Sequence, residues 1–235
     1  MPNKKPESLP EWEMVLASAA HLQQIIPDAV LVGGSASALH AKHRMSVDAD
    51  HIVRDLRSRF DQILEDLESV AGWKTARVQR PVQILGSLDG IETGVRQLIR
   101  TKPLETTIAW RGLEQIAIPT EAEMLRIKAV LILRRNATRD YLDFAALNEK
   151  QGDPASVEAL KTFDDLYPQP NGESPLQQLI VQLAKPAPYD LEDTDLTEYK
   201  HLVRRWQKWE SVAEACTKFS TVLLDRLPRR MEPEL

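Results

Sequence analysis

The stretch Leu31–Val53, LVGGSASALHAKHRMSVDADHIV, sets a Gly-Gly-Ser turn ahead of an Asp-x-Asp pair. Ala29–Val32 are apolar and β-compatible, and Gly33-Gly34 end that run with residues that lack a Cβ. Ser35 then stands at the N-terminus of a predicted helix, Ala36–His43. A helix N-terminus offers N–H groups without intrahelical partners and the positive end of the helix dipole, so it favours phosphate. Gly33 and Gly34 let the backbone approach that phosphate closely. Asp48 and Asp50 are two apart on a predicted strand, so their side chains share a face. Two carboxylates on one face repel unless a cation lies between them, and hard oxygen ligands beside triphosphate oxygens suit Mg2+. Two such ions could activate an attacking hydroxyl and neutralise a leaving pyrophosphate. Alone, the Gly-Gly-Ser is an ordinary turn and the Asp-x-Asp a solvated strand end; their order and spacing point to phosphate chemistry. Neither GxxxxGK[ST] nor a GxGxxG after a strand is present.

A second constellation lies in Met124–Leu147: Lys128, Arg134, Arg135, Arg139, Asp140 and Asp143. Lys128 is flanked by Met124, Leu125, Ile127, Val130 and Leu131 on an otherwise apolar helix. A lysine there must snorkel or meet an anion. The anion that fits is a nucleotide phosphate held against the Ser35 turn. Arg135, seven residues on, lies on roughly the same face. Arg139 and Asp143 are four apart and can pair as a surface salt bridge of little worth. Arg44 and Ser46 complete the turn into the Asp-x-Asp strand, and Arg44 is available to pair with a carboxylate.

The first motif resembles the active-site core of DNA-polymerase-β-type nucleotidyltransferases. Within that superfamily the chain is similar to the AbiEii-type nucleotidyltransferases, the toxin halves of bacterial toxin–antitoxin and abortive-infection systems. Those families carry a Lys-containing helix, then an Arg, then a basic-Asp-x-x-Asp motif, and Lys128, Arg134, Arg139-Asp140 and Asp143 occupy the matching positions. The resemblance implies Mg2+-dependent transfer of a nucleoside monophosphate from an NTP to an acceptor hydroxyl, with release of pyrophosphate. It implies that Lys128 contacts the triphosphate and that Asp140 serves the active site, while Asp143 orients Arg139 or caps local structure. It also implies a third carboxylate on a neighbouring strand, for which Asp89, Glu92 and Glu105 are candidates. An Asp-Gly turn accounts for Asp89. Glu92 lies in a strand-like run beside Gly94 and is favoured as third metal ligand or general base, although the family commonly has Asp there. The expected site is therefore Asp48, Asp50 and Glu92 on two Mg2+ ions, with Gly33, Gly34, Ser35, Lys128 and Arg135 on the nucleotide and Asp140 beside them. The acceptor is a tRNA 3′ end or a protein side-chain hydroxyl, and a cognate antitoxin protein is an implied partner. Arg96, Arg100, Lys102, Arg126, Arg134, Arg135 and Arg139 could supply a basic surface for tRNA. The alternative is a catalytically degenerate protein of this fold that binds nucleotide or a partner without turnover. Intact Asp48, Asp50, Ser35 and Lys128 argue against it.

These residues need a scaffold, and 235 residues with 43% hydrophobic and 28% charged content suffice for one. The expected fold is α+β: a nucleotidyltransferase core over residues 1–150, a mixed sheet flanked by helices, then a helical region over 151–235. An amphipathic helix is expected over Pro10–Ile26 and another from Leu56 to Val70. Short β-like runs follow at Lys74–Val78, Val82–Leu85, Ile91–Leu98, Thr106–Trp110 and Gln115–Ile118. Thr120 and Glu123 form a candidate capping box for a helical stretch reaching Leu147, and Gln151–Pro154 reads as a linker. Leu196–Leu227 carries Tyr199, Leu202, Trp206, Trp209, Ala213, Cys216 and Leu223 as a core-facing stripe. The net charge of −5 gives no global pull toward nucleic acid, so any such substrate needs a local basic patch. Cys216 is the one cysteine, which fits a reducing cytoplasm. No apolar run approaches a membrane span, and MPNKKPESLPEWE lacks the apolar core of a signal peptide. His40, His43 and His51 cluster near the aspartates in sequence, but His51 should point away from Asp48 and Asp50, which disfavours zinc.

Overall fold

The computed structural model describes residues 11–226. The signal-peptide reading of the first residues lies outside them, as do Pro10 and Leu227. The chain sorts into two units, one of residues 11–36, 45–99 and 106–118, the other of residues 37–44, 100–105 and 119–226.

Period-two burial builds the first unit. β2 (Ala49–Val53) alternates buried and half-buried residues, and β4 (Gln83–Leu88) turns Ile84, Gly86 and Leu88 inward. With β1 (Val30–Leu31), β3 (Trp73–Gln79) and β5 (Ile91–Gln97) they form a five-stranded sheet in the order β1-β2-β5-β4-β3. The β2–β5 pair is parallel and the others are antiparallel, so the expected mixed sheet is present. Helices α1 (Glu11–Ile25) and α3 (Leu56–Glu68) flank the sheet. Leu22, Ile26, Leu56, Phe60, Ile63 and Leu67 pack with Val53, Trp73, Ile84, Leu88 and Val95 from the strands. Each large apolar side chain so buried contributes about 1.5–3 kcal/mol. Asp89 and Gly90, both at positive φ, join β4 to β5 in a two-residue hairpin. All five β-like runs form, but β6 (Thr106–Arg111) and β7 (Glu114–Pro119) make a separate two-stranded sheet.

The second unit is helical. α4 (Glu121–Arg135) opens on the expected cap, Thr120 Oγ1 accepting from the Glu123 N–H at 3.2 Å. The return half of the box is absent, because the buried Glu123 carboxylate binds Arg100 and Arg126 instead. The stretch Glu121–Leu147 is not one helix. Asn136 takes the left-handed conformation at φ +47° and ends α4, and α5 (Thr138–Gln151) starts afresh. Asn tolerates that conformation. Asp190 accepts from both the N–H and Oγ1 of Thr138, each at 2.7 Å, and so caps α5. Gln151–Pro154 is a tight turn at Gly152 into α6 (Asp153–Leu160), not a linker. Then come α7 (Phe163–Leu166), α8 (Pro175–Ala184) and α9 (Trp209–Arg226). The C-terminal stripe is buried at Leu202, Trp206, Cys216 and Leu223, but two short 3-10 turns interrupt it before α9. Burial pushes the Cys216 thiol up to about 12. Among the described residues no helix is long and apolar enough to cross a membrane.

Gly86 lets β3 lie against β4. A methyl group there would stand 2.5 Å from the Lys74 carbonyl oxygen and 2.7 Å from the Trp73 ring. Because one obstacle is backbone, Gly86→Ala is expected to cost about 1–3 kcal/mol, read as a lower urea midpoint, with Ser87→Ala close to neutral.

Candidate active site

The first unit holds the turn from β1 into the next helix and the neighbouring strands β2 and β5. Gly33, at φ +71°, turns the chain from β1 into α2 (Gly33–Ala41), so the helix begins at the glycines and not at Ala36. The Val32 N–H donates to the Asp50 carbonyl at 2.8 Å and ties this turn to β2. Ser35 is fully buried, and its Oγ donates to the Asp48 carbonyl at 2.5 Å. The hydroxyl expected to meet phosphate thus fastens the helix start to the loop before β2. The N–H groups of Gly34 and Ser35 lie in the first turn, where the helix itself offers no carbonyl.

Asp48 stands one residue before β2, its Oδ1 accepting from Ser46 Oγ at 2.5 Å. Asp50 lies in β2 opposite Gly94 of β5. A methyl group on Gly94 would stand 3.0 Å from Asp50 Oδ1, and one on Gly33 would stand 3.8 Å from Oδ2. The carboxylate therefore lies between two residues that have no side chain to oppose it. Arg96 Nη2 is 3.7 Å from Asp50 Oδ1. Glu92, exposed and two residues from Gly94 along β5, projects from the same face as Asp50. Among the described residues no three His, Cys, Asp or Glu side chains gather closely enough to hold a metal ion, so Glu92 shares the face without closing on the aspartate pair. Asp89 accepts from the His21 ring at 2.7 Å, which gives it a structural partner.

The histidines separate. His51 points to the opposite, buried face, and burial lowers its pKa to about 4. His40 binds the Pro119 carbonyl at 2.7 Å. His43 binds Asp143.

The second unit holds an ion cluster. Lys128 is 1% exposed on α4, its Nζ 2.7 Å from Asp143 Oδ2 and 3.5 Å from Asp140 Oδ1. Arg135 grips Asp140 in a bidentate pair, Nη2 to Oδ1 at 2.6 Å and Nε to Oδ2. Asp143 also accepts from His43 Nε2 at 2.7 Å and from Arg44 Nε and Nη2 at 2.8 and 3.0 Å. Burial alone would raise the Asp143 carboxyl. The Arg44 guanidinium, the Lys128 ammonium and the His43 hydrogen bond together hold it well below the usual carboxylate range. Asp143 therefore does not orient Arg139, which is exposed; it gathers Arg44, His43 and Lys128. The partner that Arg44 finds lies 99 residues away in sequence, beyond any local pattern.

Part of the expected basic surface is consumed internally. Arg100 pairs with Glu123 at 2.8 Å and stacks on Tyr167. Arg126 pairs with Glu105 at 2.6 Å and with Glu123 at 2.9 Å. Both guanidinium side chains are buried, whereas Lys102, Arg134 and Arg139 are exposed. Glu105, the remaining candidate for a third carboxylate, is thus an ion-pair partner.

No known protein-family pattern matches the chain. In sequence it is 28% identical to the heme uptake protein MmpL11 of Mycobacterium tuberculosis, across 90% of this chain and 23% of that protein. It is 30% identical to the mycolic acid-containing lipids exporter MmpL11 of Mycolicibacterium smegmatis, across 54% of this chain and 13% of that protein. The chain thus spans about a quarter or less of the curated relatives it matches. In structure it superposes on a Helicobacter pylori protein assigned as a nucleotidyltransferase, with a TM-score of 0.51 and 14% identity over 92% of this chain and 94% of that one. The likeness shows a shared nucleotidyltransferase fold.

Asp143→Asn leaves Lys128, Arg44 and His43 around a neutral amide. We expect a loss of about 3–5 kcal/mol at pH 7, read from urea unfolding. A depressed folded pKa stabilises above the unfolded value. The gap between wild type and variant should therefore shrink as pH falls below about 4 toward the folded pKa.

Proposed function

We propose that this chain is a Mg2+-dependent nucleotidyltransferase that moves a nucleoside monophosphate from an NTP to an acceptor hydroxyl. The observation that carries the reading is the Asp50 carboxylate set between Gly33 and Gly94, beside the first turn of α2. The nucleotidyltransferase fold supports it. The resemblance to AbiEii-type proteins extends the reading to a toxin paired with a cognate antitoxin protein.

The donor set fits a hard divalent cation. Mg2+ is commonly bound through one or two carboxylates and completes its octahedron with water and substrate phosphates. Asp48 and Asp50 supply the carboxylates, and Gly94, opposite Asp50 in the register, sets no side chain of its own against Asp50 Oδ1. Such ions would polarise the phosphoryl oxygens and acidify the acceptor hydroxyl.

The chain's own residues would do the rest. Gly33 and Gly34 admit a phosphate to the backbone N–H groups at the start of α2, and the positive end of the helix dipole favours it there. Ser35 positions that turn through Asp48. Glu92, the exposed carboxylate on the Asp50 face, would take the proton from the acceptor hydroxyl. The roles of Lys128, Arg135 and Asp140 toward the nucleotide follow from the family resemblance. As folded these groups satisfy one another within the second unit. Transfer of this kind depends mostly on positioning and charge neutralisation.

Incubating the protein with each α-labelled NTP, Mg2+ and a cell extract tests the reading. Label should appear on RNA or protein with wild type and drop by about 100-fold or more with Asp48→Ala/Asp50→Ala. Nucleotide binding without label transfer from any NTP would replace the transferase with a degenerate binding protein.

A further inference from the structure

We propose that the sheet face carrying Asp50 is a docking track for the phosphodiester backbone of a single-stranded nucleic acid, with Lys74, Arg77 and Arg96 as its cationic contacts. The proposal deepens the transferase reading by naming the acceptor class; it rests on that reading for the chemistry at Asp50 and not for binding.

Register fixes which side chains share the face, because paired residues on neighbouring strands project to the same side. Asp50 pairs with Gly94, Gly94 with Leu85, and Leu85 with Arg77. The row on one side of these reads Ile52, Arg96, Gln83 and Gln79. The row on the other side reads Glu92, Ser87 and Lys74. The opposite face packs Val95, Ile84, Leu88 and Trp73 into the core with α1 and α3.

A bulge builds the basic end of this face. Strict alternation along β3 would put Lys74, Ala76 and Val78 on one side and Arg77 on the other. The irregularity between Thr75 and Arg77 leaves Ala76 unpaired and resets the alternation. Lys74, Arg77 and Gln79 then project together, and all three are exposed.

Charge sorts along the face. Its carboxylates, Asp50 and Glu92, lie on β2 and β5, whereas the β4 and β3 positions carry no acid and bring Lys74 and Arg77 with the amides of Gln79 and Gln83. Three strand spacings put Arg77 about 14 Å from Asp50. A polyanion along the track would lay its phosphates on the cations and bring a terminal hydroxyl to the carboxylate end. Charges on an edge strand also block edge-to-edge pairing. That accounts for Lys74 and Arg77 but not for Arg96, which stands on an interior strand beside Asp50.

Fluorescence anisotropy with labelled oligouridylate, without nucleotide or Mg2+, tests the track. Wild type should bind with an affinity that falls as salt rises. Lys74→Glu/Arg77→Glu should bind about tenfold more weakly, with a log–log salt slope smaller by about 1.4, two contacts at about 0.7 each. Lys150→Glu/Lys218→Glu, the same charge change at exposed positions of the second unit, should bind as wild type does, and all variants should keep the wild-type circular dichroism. Unchanged binding by Lys74→Glu/Arg77→Glu would overturn the proposal, as would equal weakening in both double variants. Preferential binding of poly-L-glutamate over oligouridylate would overturn it in favour of an acidic protein partner. Asp48→Ala/Asp50→Ala should still bind oligouridylate, so the track and the transferase reading can fail separately.

Discussion

The Asp50 carboxylate lies between Gly33 and Gly94, and each of these glycines is required for its own reason. A side chain at residue 94 would press on one carboxylate oxygen, and any non-glycine residue at 33 would be strained at that positive φ. The strand that carries Asp50 is held from its other face, where Ala49, His51 and Val53 are fully buried. Cohesion and chemistry are thus separated by the period of two: one residue in every pair belongs to the core and the next is released to the site. The Ser35 hydroxyl adds the remaining constraint, fastening the start of α2 to the residue that bears the first carboxylate.

The second unit solves a different electrostatic problem. A fully buried carboxylate stays charged only when its neighbours replace the water it has lost, and Asp143 does so with two cations and an imidazole. Such a cluster is weak evidence for net stability, because desolvation opposes the attraction. Its geometric demand is strong, since residues 43 and 44, α4 and α5 must all be in place before the charges are satisfied.

Elements were legible where their period was long and local. The α1 and α3 stripes, the five β-like runs and the Thr120 cap are all present in the structure. What could not be read was decided by single residues or distant partners. Asn136 splits what the apolar pattern presents as one helix, because a left-handed residue costs asparagine little and Asp190 waits to cap the new start. Lys128 on an apolar helix correctly signals a nearby anion. Nothing local shows that carboxylates of the next helix meet it. The turn expected at Gly33–Ser35 is present, but the direction of the Ser35 hydroxyl depends on a carbonyl 13 residues away.

Charge follows the same logic. A net charge of −5 describes the whole chain, yet a sheet sorts its side chains by face, and a partner meets a face. Arginines that count equally in composition end in opposite circumstances: Arg100 and Arg126 are buried against Glu123, while Arg77 and Arg96 stand out from the sheet. In WKTARVQ the cations at 74 and 77 lie three apart, a spacing that in a regular strand would place them on opposite sides. One unpaired alanine in β3 brings them together. The electrostatic character of this surface is therefore a property of strand register, and it became visible only when the pairing of β3 with β4 was known.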